Sequence, residues 1–92
     1  MNKGELIVAI AEKAGVTQKT AQQVLNGTID VIVETVSSGD NVAIAGFGTF
    51  KNRLRREREG RNLKTNETMT IPETKVPVFK AGKTFKDSVS KG

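Results

Sequence analysis

Lys51-Asn52-Arg53-Leu54-Arg55-Arg56-Glu57-Arg58-Glu59-Gly60-Arg61-Asn62-Leu63-Lys64-Thr65-Asn66 sets the architecture of this chain. It is rich in cations and holds almost nothing that could enter a core. Alternate residues of a strand point to opposite faces, and both faces here are polar: Lys51, Arg53 and Arg55 share one, and Leu54, Arg56 and Arg58 the other. Such a segment cannot fold by burying itself, so it is predicted to be a solvated hairpin held from its base. Gly60, Asn62, Thr65 and Asn66 gather turn-forming residues between two extended runs, which places the tip near Arg61 to Asn66. About ten residues out and ten back, at roughly 3.3 Å each, would reach on the order of 30 Å. A long, basic, two-stranded arm of this kind suits a polyanion.

Charge supports that expectation through its distribution more than its total. The 92 residues carry 15 Lys and Arg against 10 Asp and Glu, a net charge of +5. Residues 1–50 hold three lysines against five acids, whereas residues 51–86 hold eleven cations against four acids. Only Glu57 and Glu59 interrupt the six cations from Arg53 to Lys64. Cysteine and histidine are absent from the sequence. That removes disulfides, thiolate and imidazole metal sites, Cys nucleophiles and His acid–base chemistry, so a non-enzymatic protein without cofactor or small-molecule substrate is expected. Glu5 and Glu12 interrupt the apolar run near the N-terminus, and no window approaches 18 apolar residues, so neither a secretory signal nor a membrane association is expected. A cytoplasmic location follows as an expectation.

Outward from the arm, the chain reads as α+β in one small domain. Asn2 and Glu5 form a capping-box pattern that starts a helix whose Leu6, Ile7, Ile10, Ala11 and Ala14 lie on one face, ending near Gly15. Thr17 is the expected N-cap of a second helix, which ends in Ser37-Ser38-Gly39-Asp40. Between Ile29 and Val36 its apolar residues cover most of the circumference, leaving Asp30, Glu34 and Thr35 for solvent. Such a helix must be covered on more than one side, and in a chain of this size a homodimer sharing one core is the natural remedy. Asn41 to Ala45 reads as a strand, and Gly46-Phe47-Gly48 as a tight connection into the next. The return strand, Thr68 to Lys80, holds Pro72 and Pro77, which predict an edge strand or a broken one. Lys83 to Ser90 forms a short last helix with Phe85 and Val89 on one side. The expected parts are a helical dimerisation region (1–40), a three-stranded antiparallel sheet (41–82) with its protruding arm at about 53–74, and a C-terminal helix (83–92).

Gly46-Phe47-Gly48-Thr49-Phe50-Lys51 invites two nucleotide readings. A phosphate cradle needs a helix directly after the glycines, and a strand follows. An RNA-stacking box needs a leading basic residue and further aromatics, but Ala45 occupies that position and the chain has no Tyr or Trp. Phe47, Phe50, Phe79 and Phe85 are better read as core. Leu63, one apolar side chain at the tip of a polar arm, is either an ordinary exposed leucine or a wedge between base pairs.

Taken together, the Asn2-Lys3 start, Gly39-Asp40, the Gly46-Phe47-Gly48-Thr49-Phe50 turn, the Gly60-Arg61-Asn62 arm tip, Val76-Pro77 with Phe79, and Ala81-Gly82-Lys83 give a resemblance over essentially the whole chain. It resembles the HU/IHF family of bacterial histone-like DNA-architectural proteins, which bind DNA in its minor groove. The family usually has proline after the arm's Arg-Asn pair, where this sequence has Leu63, a flexible side chain with a free N–H. The resemblance implies an intertwined homodimer that wraps double-stranded DNA through its minor groove, bending it with little sequence preference and compacting the nucleoid. It implies DNA contacts at Arg53, Arg55, Arg58, Arg61, Asn62 and Lys64 in the arm, with Leu63 as wedge. Lys3, Lys75, Lys80, Lys83 and Lys86 would meet DNA at the saddle and flanks. A sequence-selective IHF-like subunit and an RNA-binding module remain the alternatives.

Overall fold

The structure, a computed structural model, describes residues 1–62 and 64–91. Leu63 and its wedge reading lie outside the described residues. Among the described residues, three helices and five antiparallel strands follow in the order α1 (Lys3–Ala14), α2 (Gln18–Ser37), β1 (Val42–Ile44), β2 (Gly48–Arg55), β3 (Arg58–Asn62), β4 (Glu67–Ile71), β5 (Thr74–Ala81) and α3 (Lys83–Lys91). The α+β class expected from the sequence is the one observed. The chain packs as two compact units, Met1–Glu34 and Thr35–Gly92.

The helix ends follow the capping chemistry. Asn2 Oδ1 accepts from Glu5 N–H at 2.9 Å, and Gly15 closes α1 in the left-handed region at φ 69° with its N–H on Ala11 O. Thr17 caps α2 by accepting from Thr20 N–H at 3.1 Å. At the other end Gly39 adopts φ 95°. Its N–H bonds Val36 O and the Asp40 N–H bonds Thr35 O, both at 3.1 Å, which is the paired closure of a Schellman motif. Val36 O also accepts from Asn52 Nδ2 of β2 at 2.8 Å, tying the last turn of α2 to the sheet.

Little of the apolar content is covered. Among the described residues the buried hydrophobic side chains are Ala11, Ala21 and Val36, while Val24, Val31 and Val33 of α2 are 62%, 58% and 57% exposed. Full burial of a valine is worth roughly 1.5–3 kcal/mol. Three such residues therefore represent an amount comparable with the whole net stability of a small domain, about 5–15 kcal/mol.

In the second unit β2 is the central strand of a three-stranded sheet ordered β1-β2-β5. A turn closed by Phe47 N–H on Ile44 O at 3.0 Å joins β1 to β2, with Gly46 at φ 80° in the position where a type II turn requires a positive value. Directly opposed residues of an antiparallel pair point to the same side. The register Phe50↔Phe79, Asn52↔Pro77 and Leu54↔Lys75, with Val42↔Phe50, therefore builds one apolar face. Phe47 and Phe85 join it: the Phe50–Phe79 ring centroids lie 4.7 Å apart, Phe47–Phe79 5.1 Å and Phe47–Phe85 5.3 Å. Gly48 makes this packing possible, because a Cβ there would stand 2.6 Å from Lys80 O and from the Phe79 ring.

The arm differs from a single uninterrupted hairpin. Beyond the Arg55↔Thr74 pair the ladder stops on both strands and resumes at Arg58↔Ile71 as a separate two-stranded sheet, β3–β4. Arg56-Glu57 faces Pro72-Glu73 across the gap. Pro72 has no N–H to give, which is the physical reason the return strand breaks there. Pro77 by contrast is accommodated on β5, an edge strand.

Candidate nucleic-acid interface

The β3–β4 ribbon pairs Arg58↔Ile71, Glu59↔Thr70, Gly60↔Met69, Arg61↔Thr68 and Asn62↔Glu67. Arg58 and Arg61 are exposed, as are Lys64, Thr65 and Asn66 in the connection that follows. Asn62 Oδ1 accepts from Lys64 N–H at 3.0 Å, and its carbonyl accepts from Asn66 N–H at 2.7 Å. Asn66 takes φ 60°, one of the few left-handed positions that asparagine tolerates. Asn62, assigned to DNA contact by the resemblance, is thus also the residue that folds the tip.

At the base of the arm the register sorts the remaining cations by face. Lys51 and Arg53 lie on the side of Lys80, Val78 and Val76, opposite to the phenylalanine cluster, and Arg55 with Thr74 continues that side. Lys75 pairs with Leu54 and so projects on the phenylalanine side, away from Lys80. Lys51 was absent from the residues that the resemblance marked, although its alternation with Arg53 and Arg55 is visible in the sequence. Lys80, Lys83 and Lys86 come together around a pocket of about 460 Å³ that also includes Thr49, with Asp87 as its single acid. Lys3 opens α1 in the first unit and is exposed. The arrangement offers side chains for phosphate and groove contact: arginines whose planar forks enter a narrow groove, and lysines that act as point charges. Among the described residues no cluster of potential ligands could hold a metal ion. No helix of the described residues is long and apolar enough to cross a membrane.

Residues 1–90 match the family described as bacterial DNA-binding protein. The chain is 58% identical over 90 residues to the DNA-binding protein HU of Nostoc, covering 98% of this chain and 96% of that protein. It is 48% identical over 89 residues to HU of Geobacillus stearothermophilus, covering 97% and 99%. Among solved structures it is similar to HU in an Anabaena HU–DNA cocrystal, with a TM-score of 0.94, 56% identity and full coverage of both chains. Similarity to HU from Thermotoga maritima has a TM-score of 0.68 at 31% identity, over 97% of this chain and 98% of that one.

Proposed function

The chain belongs to the family of bacterial DNA-binding proteins, and from that membership we propose that it is a homodimeric architectural protein that bends double-stranded DNA through the minor groove, with little sequence preference, and organises the nucleoid in the cytoplasm. The observation that carries the proposal is the full-length likeness to a chain whose solved structure is a complex with DNA. The basic β3–β4 ribbon supports it physically, since a polar two-stranded arm has no core to serve and every reason to meet an anion.

The second copy is supported by the exposed valines of α2, for which another apolar helix is the fitting cover. Arg53, Arg55, Arg58, Arg61 and Lys64 are assigned to groove and phosphate contact along the arm. Lys51, Lys80, Lys83 and Lys86 are assigned to phosphates flanking it, and Lys3, in the first unit, to phosphate contact of its own. Lys75, which points to the other face of its sheet, would serve a different stretch of backbone. Leu63 is assigned the wedge role on its position in the sequence. Nothing in this division of labour requires catalysis.

The experiment is a salt titration of affinity for a mixed-sequence duplex. If each dimer neutralises about 6 to 10 phosphates, log K falls against log salt with a slope near −0.9 per phosphate, or roughly −5 to −9. A slope shallower than about −2 would contradict the clamp, because it leaves room for only two or so phosphate contacts.

A further inference from the structure

We infer that Asn52 is a positioning residue for the arm: its bond to the last turn of α2 fixes the direction in which β2 carries Arg53 and Arg55 away from the sheet, and with it the bend that the protein imposes on DNA. The inference rests on the proposed function and deepens it, by naming a residue that shapes the complex without touching the duplex.

Burial along β2 ends at this residue. Gly48 is buried and Thr49 to Asn52 are half-buried, whereas every residue from Arg53 to Glu59 is exposed. Lateral support ends close by. β1 pairs with β2 only as far as Phe50, so from Lys51 onward β2 has β5 as its single neighbouring strand. On the side of β2 that bears the phenylalanines, Phe50 lies against the Phe79 ring, while Leu54, two residues past Asn52, is 48% exposed. Between them the Asn52 amide donates to Val36 O at 2.8 Å. Among the described residues it is the one side-chain hydrogen bond that joins positions more than four apart.

The acceptor is a fixed point. Val36 is 8% exposed, and its carbonyl also takes the Gly39 N–H of the helix closure, so both lone pairs of that oxygen are used. What hangs from this point is a lever. From Asn52 to Asn62 the chain runs ten residues, about 33 Å at roughly 3.3 Å each. A rotation of about 10° at the base would carry the tip about 6 Å sideways, the full width of a minor groove. The ladder break at Arg56-Glu57 lets the ribbon adjust, but it lies beyond Arg53 and Arg55, whose direction is set before it.

Two substitutions separate the donor from the shape of the side chain. Asn52→Val keeps a strand-forming residue of similar size and removes the donor, and Asn52→Gln keeps the donor one methylene further out. Each is compared with the unmodified protein by energy transfer across an end-labelled mixed-sequence duplex, at saturating protein and well below the melting temperature of either variant. Asn52→Val is expected to lose about a third or more of the rise in transfer while affinity falls by less than about threefold, because no DNA contact is removed. Asn52→Gln is expected to regain at least about half of the lost rise. A purely structural role predicts a lower melt with the full rise at saturation, and that result overturns the inference. A Gln variant no better than Val overturns it too, by assigning the effect to shape. Absence of any rise with the unmodified protein would instead remove bending from the proposed function.

Discussion

Helix α2 exposes valines that water disfavours, whereas the β3–β4 ribbon exposes arginines that water accepts readily. Both regions present exposed side chains to solvent, but the consequences differ. An uncovered apolar helix loses stability that a second protein surface restores, so its partner is part of the fold. An uncovered cationic ribbon loses little, so its partner can come and go without unfolding anything. The contrast separates what holds the protein together from what it holds.

The sharpest way to break that contrast is to put a charge on α2. Val33→Asp would leave an unpaired carboxylate in the proposed subunit interface, at a cost of roughly 3–5 kcal/mol by analogy with breaking a buried pair. At about 4–8 °C per kcal/mol for a domain of this size, the melting temperature should fall by more than about 12 °C. Sedimentation should show a shift from dimer to monomer. An unchanged melt and mass would place Val33 outside any interface.

Removing the ribbon should have the reverse signature. Arg55 and Thr74 are directly paired, so residues 56–73 can be replaced by a two-residue Asn-Gly turn. The shortened protein is expected to melt within a few degrees of the intact one and to lose about 100-fold or more in duplex affinity, roughly 2.7 kcal/mol. Loss of the fold would show that the arm is structural.

Glycine substitutions sharpen the comparison on a smaller scale. At Gly48 a Cβ meets the Lys80 carbonyl and the Phe79 ring at 2.6 Å, and backbone and packed ring cannot step aside. Gly48→Ala should cost about 1–3 kcal/mol in denaturant unfolding. At Gly60 the nearest obstacle is the Ile71 Cδ1 end of a side chain with rotamers to spare, so Gly60→Ala should cost less than about 1 kcal/mol. Similar losses at the two sites would mean that the ribbon is packed as tightly as the sheet.

Much of this was legible beforehand, for local reasons. Asn2, Gly15, Thr17 and Gly39 act on backbone groups within a turn, so their roles can be read without knowing the rest of the fold. The polar alternation from Lys51 onward announced a ribbon, and Pro72 announced an interruption. The pairing of that interruption with Arg56-Glu57 was not legible, because it depends on which residues face each other across the strands. The same dependence hid the separation of Lys75 from Lys80, the place of Lys51 beside Arg53, and the bond from Asn52 to the end of α2. Each needs register, which a single strand does not carry.

The central claim is that the ribbon bends DNA and does not merely coat it. Energy transfer between dyes at the two ends of a short duplex measures this most directly, with the protein added to one dimer per duplex at moderate salt. The expected result is a large rise in transfer, repeated on an unrelated sequence, and a smaller rise at undiminished occupancy for Leu63→Ala, which shortens the proposed wedge. Saturating binding with no rise in transfer on either sequence would contradict it, and would leave a basic protein that lies along DNA without deforming it.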